Sequence, residues 1–344
     1  MKLVKPKMLS PGDKVATVSL SWGGAGDPEL LWRYELGKRR LEEVYGLEVV
    51  EMPNTLKGTK YLYDHPEARA EDLMSAFADK SVRGIFSCIG GDDSIRLLPY
   101  IYFDVIKDNP KILLGYSDTT VAHFMCLKAG LSSIYGPSVL AEFAENIEIF
   151  EYTHNSFMRT LFDSRPIGQV FASPAWTGQH LKWTTENSKT AKAMQKSEEY
   201  DFLQGDGVVK GPLIGGCMEV LEMMKGTSLW PAREDFEGAI LFFETSEDMP
   251  VPDLIRYWLR NYAAQGILQR AAGIIFGKPY QNRFYKEYRD EIARVAGEAG
   301  ILCTPIVLNM SFGHNEPMAC LPYGAMAKID CGARTFSIVE SGVI

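Results

Sequence analysis

The first half of the chain alternates short apolar runs with helical patterns, and this alternation constrains the fold more than any other feature. The apolar runs predict strands over residues 14–20, 47–52, 84–89 and 111–115. Between them, apolar residues recur at helical spacing, which predicts helices over 28–41, 66–77 and 119–128. Strands that alternate with helices pair in parallel, so we predict an α/β fold with a doubly wound, mostly parallel sheet.

A second, smaller region of mixed α/β character is predicted from residue 207 onward. Its apolar runs predict strands over 207–213, 239–244, 273–278 and 306–310, and its helical patterns cover 216–224, 252–264 and 285–299. The intervening stretch 173–207 is polar, has no clear period and is the kind of long loop that is often functional. We therefore expect an N-terminal domain (1–165), a linker and substrate loop (166–206) and a C-terminal domain (207–344).

The composition excludes several classes of protein. The 344 residues are 46% hydrophobic and 23% charged, which is typical of a globular chain and excludes disorder or a fibrous repeat. With 36 Lys and Arg against 44 Asp and Glu, the net charge of -8 disfavours binding to a nucleic-acid polymer or an anionic membrane. The six cysteines form no C-x-x-C pair and suit a reducing compartment, so we expect a cytoplasmic protein.

A serine at a strand-to-helix turn is the most informative candidate for chemistry. The apolar strand ends in Gly115-Tyr116-Ser117, and Asp118 and Thr119 open the following helix. A serine in that position presents its hydroxyl at the sheet edge, beside free N–H groups that can hold an oxyanion. The residues by themselves also allow Ser117 or Asp118 to be only a helix cap.

A serine nucleophile needs a base, and His314 is the best candidate among the five histidines. It lies beside Gly313 after an apolar strand, in the kind of strand-end loop where catalytic groups collect. His123 follows Ser117 by six residues on the same helix, about 120° around its axis. We therefore expect His123 to pack or to face solvent rather than to act as the base.

A carboxylate should orient the imidazole, and Glu244 stands at the end of a strongly apolar strand. Because burying a charge without a partner is costly, an ion pair with an arginine is the alternative role for Glu244. Glu247 and Asp248 are interpreted as an exposed cap for the helix that begins at Pro252.

The pair Gly90-Gly91 follows another predicted strand. Two glycines let the backbone approach a ligand closely and direct N–H groups at negative charge, so the amides of Gly91 and Asp118 are the candidate oxyanion hole. Cys88, the alternative nucleophile, lies inside the strand, which favours a packing role. No two histidines share a metal-ligand spacing, so we expect neither a metal nor a cofactor.

Together these segments resemble the LD-carboxypeptidase family of serine peptidases. The resemblance runs from about Met8 to Ile329 with the motifs in the family's order, at residues 61–76, 90–92, 115–120, 215–216, 243–247 and 312–314. It implies an N-terminal domain related to the class I glutamine amidotransferase fold and a smaller C-terminal domain. It assigns nucleophile, carboxylate and base to Ser117, Glu244 and His314, supports the same oxyanion hole, and implies a cytoplasmic homodimer that needs no metal.

Two branches of that family compete for this sequence. One removes a terminal D-alanine from muropeptides, whereas the microcin C immunity (MccF-like) branch cleaves an amide between an amino acid and a nucleotide-like moiety. The second branch carries an aromatic residue on an extra loop, and here Trp176 and Trp183 lie in the 173–207 stretch. Stacking of an indole on a base is worth about 1–3 kcal/mol. We favour this branch and a small peptide or aminoacyl-nucleotide substrate. The alternatives are tryptophans that only anchor the loop, and a binding protein without catalysis.

Overall fold

The computed structural model describes residues 3–344 and confirms the alternation of strands and helices in the first half of the chain. The strands are β1 (Lys14–Val18), β2 (Glu48–Glu51), β3 (Val82–Ser87), β4 (Ile112–Gly115) and β5 (Ile134–Tyr135). The helices are α1 (Leu31–Tyr45), α2 (Thr59–Asp64), α3 (Pro66–Ala78), α4 (Phe103–Asp108), α5 (Thr120–Ala129) and α6 (Glu151–Leu161). Helix α1 begins three residues after the predicted start, because residues 28–30 form turns.

The second half contains more strands than the apolar runs predict. They are β6 (Gly168–Gln169), β7 (Ala175–Trp176), β8 (Gln195–Lys196), β9 (Asp201–Gln204), β10 (Val208–Cys217), β11 (Ile240–Glu244), β12 (Gly273–Gly277), β13 (Ile306–Met310), β14 (Leu321–Pro322), β15 (Met326–Asp330) and β16 (Thr335–Ile338). The helices are α7 (Met218–Met224), α8 (Pro252–Ala264) and α9 (Tyr285–Glu298). Because β10 continues to Cys217, α7 begins two residues later than predicted.

Two large sheets organise these elements. The first has the order β14-β5-β4-β3-β1-β2 and is parallel from β5 to β2, while the short β14 is antiparallel at its edge. The second has the order β6-β16-β15-β10-β11-β12-β13-β9, with parallel pairing from β10 to β13 and antiparallel pairing outside it. The fold is therefore mixed α/β, with a mostly parallel first sheet, as the sequence predicts.

The polar stretch before β10 is not structureless. Strand β6 pairs with β16, and β9 pairs with β13, so both ends of the stretch belong to the second sheet. Between them, β7 and β8 form a separate two-stranded ribbon. These strands are short and partly exposed, and consequently carry no apolar alternation for sequence reasoning to detect.

Helix α5 joins the two sheets. Every residue from Thr120 to Leu127 is buried, and a helix that is apolar on all sides must pack on all sides. Phe124 on this helix stacks on Trp230 of the second half, with ring centroids 6.1 Å apart. Where α5 begins, Thr120 accepts a hydrogen bond from the N–H of Cys217 at 3.3 Å. The end of β10 is therefore held against the turn that carries Ser117.

Candidate active site

Ser117 occupies the turn between β4 and α5 in a left-handed conformation. Its φ is 59°, a value that non-glycine residues rarely adopt. The N–H of Ser117 donates to the phenolic oxygen of Tyr135 at 3.2 Å, and the hydroxyl of Thr120 donates to the Ser117 carbonyl at 2.6 Å. A strained backbone of this kind persists only where surrounding contacts hold it, and it is frequent in functional turns.

A continuous chain of hydrogen bonds links Ser117, His314 and Glu244. The Oγ of Ser117 lies 3.0 Å from Nε2 of His314, and Nδ1 of His314 lies 2.6 Å from Oε2 of Glu244. When Nδ1 carries the ring proton and donates a hydrogen bond to the carboxylate, the lone pair of Nε2 is free to accept the serine proton. The fold thus brings together three residues separated by 127 and 70 positions, calculated as 244 − 117 and 314 − 244.

Tyr135 is a participant that sequence reasoning missed. Its phenol donates to Oε1 of Glu244 at 2.5 Å, while its oxygen accepts the N–H of Ser117. Both oxygens of the buried carboxylate are therefore hydrogen-bonded, which reduces the cost of keeping Glu244 charged inside the protein. Tyr135 lies in a two-residue buried strand and carries no local signal that distinguishes it from a core tyrosine.

The carboxylates around His314 control its charge. Burial lowers the pKa of His314, but the charge of Glu244 and the hydrogen bond that it accepts raise it, with further contributions from Glu247 and Glu219, so that the pKa is about 9. Oε2 of Glu247 lies 3.2 Å from Nε2. These carboxylates stabilise the imidazolium that forms when the imidazole removes a proton.

The glycine loop lies directly against Ser117. A Cβ atom added to Gly90 would lie 2.8 Å from Oγ of Ser117 and 3.4 Å from the backbone nitrogen of Asp118. Gly91 has a φ of 143°, and a Cβ atom there would lie 2.3 Å from Oγ of Ser21. Both positions therefore require glycine, and this absence of side chains lets the backbone approach the serine closely.

Two buried contacts hold this loop and the serine turn in place. Arg69 of α3 donates to the carboxylate of Asp93 and to the carbonyls of Leu20 and Ser21, which ties the loops after β1 and β3 together. The buried carboxylate of Asp118 accepts the N–H of Ser94 at 2.8 Å. The side chain of Asp118 is thus engaged away from its own N–H, the group that the sequence predicts to bind an oxyanion.

A cleft of about 1320 Å³ opens over Ser117 and His314. The first half of the chain contributes the loops at 21–32 and 89–93, and the polar stretch contributes residues 177–186. Its volume exceeds the range of about 300–1,000 Å³ that is usual for a site for one small molecule. The cleft can therefore accommodate a substrate of two linked parts.

Comparison with known proteins identifies the family. Models of the LD-carboxypeptidase N-terminal domain and C-terminal domain match residues 15–136 and 210–329. The two matches include the positions of Ser117 and Glu244 and together span more than half of the chain. This chain belongs to the LD-carboxypeptidase family. It is accordingly a serine peptidase with a carboxypeptidase-like function.

Relatives of this family member align with it over most of their length. A putative carboxypeptidase of Vibrio cholerae is 30% identical over 98% of both chains. The MccF-like protein of Streptococcus pneumoniae, solved in complex with AMP, is 33% identical over 95% of this chain and 98% of its own, with a TM-score of 0.87. The microcin C7 self-immunity protein MccF of Escherichia coli is 27% identical over 86% of this chain and 85% of its own. Its complex with aspartyl sulfamoyl adenosine covers 99% of this chain and all of that one, with a TM-score of 0.84. The family member described here is therefore close to the MccF branch.

The two tryptophans of the polar stretch lie in different places. Trp183 lines the cleft, where its ring stacks on that of Trp22 with centroids 6.3 Å apart, and the guanidinium of Arg33 lies 4.5 Å from its centroid. Trp176 is buried in β7 under the ammonium of Lys278, 4.7 Å from its ring centroid, and is not part of the cleft wall. The structure brings Trp183 to the candidate site, while the contacts of Trp176 anchor the ribbon.

An ion-pair cluster fastens the same stretch to the body of the protein. The side chain of Lys192 is mostly covered, its ammonium lies 2.6 Å from Oε2 of Glu145, and it also contacts the carboxylate of Glu316. Burial raises the pKa of Glu316, and the nearby Glu145 and Glu142 add to this effect, while Lys192 opposes it. Loss of one partner from such a cluster would leave an uncompensated buried charge, so the three groups are held together. Through them, the polar stretch is fixed at the wall of the cleft near His314.

The remaining sequence candidates have other surroundings. Burial raises the pKa of the Cys88 thiol to about 12, so this cysteine is protonated and unreactive at neutral pH. Glu247 and Asp248 were interpreted as a helix cap, but α8 has Val251 at its N-cap and both carboxylates line the cleft instead. Among residues 3–344, no His, Cys, Asp and Glu cluster could hold a metal ion, and no helix is long and apolar enough to cross a membrane.

Proposed function

We propose that this protein is a serine amidohydrolase that cleaves an amide between an amino acid and a nucleotide-like moiety, as in self-immunity to or detoxification of microcin C-type compounds. Ser117 is the nucleophile, His314 the base and Glu244 the orienting carboxylate. The hydrogen-bonded chain Ser117–His314–Glu244, at the floor of a cleft with an aromatic pair in its wall, carries the proposal.

The reaction passes through an acyl-enzyme. Nε2 of His314 takes the hydroxyl proton of Ser117 while Oγ attacks the carbonyl carbon of the substrate amide. Glu244 holds the imidazole in the required tautomer and stabilises its charged form. The imidazolium then gives its proton to the leaving nitrogen, the C–N bond breaks, and a water molecule activated by His314 releases the amino acid.

The backbone amides of Gly91 and Asp118 stabilise the tetrahedral intermediate. The closeness of Gly90 to both Oγ of Ser117 and the nitrogen of Asp118 supports this role, because it places the glycine loop and the helix start around one point. Fixed amide donors aimed at a developing oxyanion typically contribute about 3–4 kcal/mol each to the lowering of the barrier.

Trp183, with Trp22 behind it, forms the platform for the base of the nucleotide-like part. Two observations support this assignment: the aromatic pair lines the cleft, and solved relatives hold AMP or aspartyl sulfamoyl adenosine. Stacking is tolerant of base identity, since every base presents a π face. Trp176 has no part in this proposal, because it lies outside the cleft.

One experiment tests the reaction and separates the two branches of the family. The protein is incubated in parallel with an aminoacyl sulfamoyl adenosine and with a muropeptide tetrapeptide, and released amino acid is quantified. We expect cleavage of the sulfamoyl substrate, whereas cleavage of the muropeptide alone would assign the protein to cell-wall recycling instead.

Ser117→Ala tests the nucleophile in the same assay. We expect a loss of about 10⁴-fold or more in kcat and no labelling by a fluorophosphonate probe, because both need the serine oxygen. Ser75→Ala is the control, since Ser75 is exposed on α3 and lies outside the cleft and the proposed catalytic chain. Hydrolysis by Ser117→Ala at the parent rate, or ligand binding by the parent without turnover, would contradict the mechanism.

A further inference from the structure

Nε2 of His314 lies within hydrogen-bond distance of two oxygen atoms, one from Ser117 and one from Glu247. Nε2 lies 3.0 Å from Oγ of Ser117 and 3.2 Å from Oε2 of Glu247. A ring nitrogen either carries a proton and donates a hydrogen bond, or has a free lone pair and accepts one. Nε2 therefore cannot donate to Glu247 and accept from Ser117 at the same time. The contact with Glu247 is favourable when Nε2 is protonated. The contact needed for catalysis requires the lone pair of Nε2 to receive the hydroxyl of Ser117.

The groups around the imidazole favour its protonated form. Glu244 faces it from β11, Glu219 from α7 and Glu247 from the loop after β11, while the ring of Tyr116 meets it edge-on at 5.1 Å. Burial raises the pKa of Tyr116 well above its usual value, so the phenol is neutral. Of these groups only Glu247 contacts the nitrogen that must act as the base.

Glu247 is also the one of these carboxylates that a substrate can reach. Its side chain is 63% exposed and lines the cleft, whereas that of Glu244 is fully buried. Asp92 and Asp248 line the same cleft, and both are exposed. Seven carboxylates line this cleft against two lysines, Lys182 and Lys192, and the ammonium of Lys192 is already paired with Glu145 and Glu316. The surroundings of Glu247 therefore favour a positively charged group.

Resting on the proposed function, we propose that Glu247 is a positioning residue that holds His314 protonated until a cationic group on the amino-acid part of the substrate binds its carboxylate. The proton on Nε2 then passes to solvent water, and the freed lone pair accepts the hydroxyl of Ser117. No other bond changes before the attack. The cationic group is either the α-ammonium or a basic side chain, and these two sources share the same chemistry of recognition.

Histidine titration by NMR tests the first half of this proposal without turnover. In Glu247→Gln we expect the titration of His314 to move to lower pH by about one unit, because a carboxylate in contact with the ring is removed. Asp248→Asn is the matched control, since it removes a carboxylate of the cleft that does not contact His314, and its shift should be smaller. Equal shifts in both variants, or none in Glu247→Gln, would overturn the role of the contact.

Substrate series test the second half. Four sulfamoyl adenosines differ in the cations of their amino-acid part. The lysyl compound carries both the α-ammonium and the side-chain ammonium, and the norleucyl compound carries the α-ammonium alone. The Nα-acetyl-lysyl compound carries the side-chain ammonium alone, and the Nα-acetyl-norleucyl compound carries neither. We expect kcat/KM for the favoured cation to exceed that for the doubly neutral substrate by about fivefold, and Glu247→Gln to remove this preference while Asp248→Asn keeps most of it. The cationic group that Glu247 binds is the ammonium whose removal from the substrate abolishes this preference in kcat/KM.

The outcomes separate this inference from the proposed function. If Glu247→Gln hydrolyses all four substrates with the parent's order of preference and pH profile, the role of Glu247 is wrong while Ser117 remains the nucleophile. If no substrate is hydrolysed by the parent protein, the proposed function fails, and the NMR titration still decides whether Glu247 controls the proton on His314.

Discussion

Two buried histidines of this protein lie in opposite electrostatic environments. His123 on α5 has uncharged partners: Nδ1 lies 2.9 Å from Oγ of Ser133, and Nε2 donates to the carbonyl of Gly115 at 2.9 Å. Burial lowers the pKa of His123 to about 4, although the bond to Gly115 opposes the shift. His314 is buried as well, yet its carboxylate neighbours raise its pKa to about 9.

The comparison shows that the partners of a buried histidine, rather than its burial, decide which protonation state it adopts. His123 stays neutral at pH 7 and links α5 to the end of β4, so of the two roles that the sequence leaves open, packing or exposure to solvent, the structure shows packing. His314 is held protonated at neutral pH by its carboxylate neighbours, and in the proposed mechanism it must lose that proton before it can act as the base. Three experiments test this contrast, and the one with the greatest expected effect comes first.

The largest effect is expected from Glu244→Gln. The amide removes the charge that stabilises the imidazolium and permits the wrong tautomer, so kcat should fall about 10³–10⁴-fold. The titration of His314 should also move to lower pH, towards that of His123. Glu222→Gln, which removes the partner of Lys225 and is not among the carboxylates that shift the pKa of His314, is the control. Loss of less than tenfold in kcat would contradict the role of Glu244.

The pH dependence of the unmodified protein is the next largest effect. Because only neutral His314 can act as a base and its pKa in the free protein is about 9, kcat/KM should rise with pH about tenfold per unit and level off near pH 9. NMR titration should place the transition of His123 near pH 4 instead. A profile that levels off below pH 7 would show that the carboxylates do not hold the proton on His314.

The smallest effect is expected from Tyr135→Phe. Loss of the phenol leaves Oε1 of Glu244 and the N–H of Ser117 without this partner, so we expect kcat to fall about tenfold with little change in KM. Tyr323→Phe is the matched control, because that buried phenol donates to the carbonyl of Gly215 instead. Equal losses in both variants would mean that Tyr135 acts only through packing.

The local pattern was sufficient to predict the strands of both sheet centres and the turn at Ser117. Fully buried strands such as β4 and β11 are continuous apolar runs, and the residues that follow them lie at the sheet edge where ligands bind. His314 and Glu244 were found because each stands at such a strand end. The short strands β6 to β9 were not found, since their partly exposed residues have no apolar period.

The sequence by itself determined the α/β architecture and the three residues of the hydrogen-bonded chain, because strand ends and glycine turns are properties of neighbouring residues. Only the tertiary structure decided that Tyr135 bridges Ser117 and Glu244, that Trp183 rather than Trp176 reaches the cleft, and that Glu247 contacts His314. These relations depend on how α5 holds two sheets against each other. Contacts between residues that are far apart along the chain leave no trace in a local pattern.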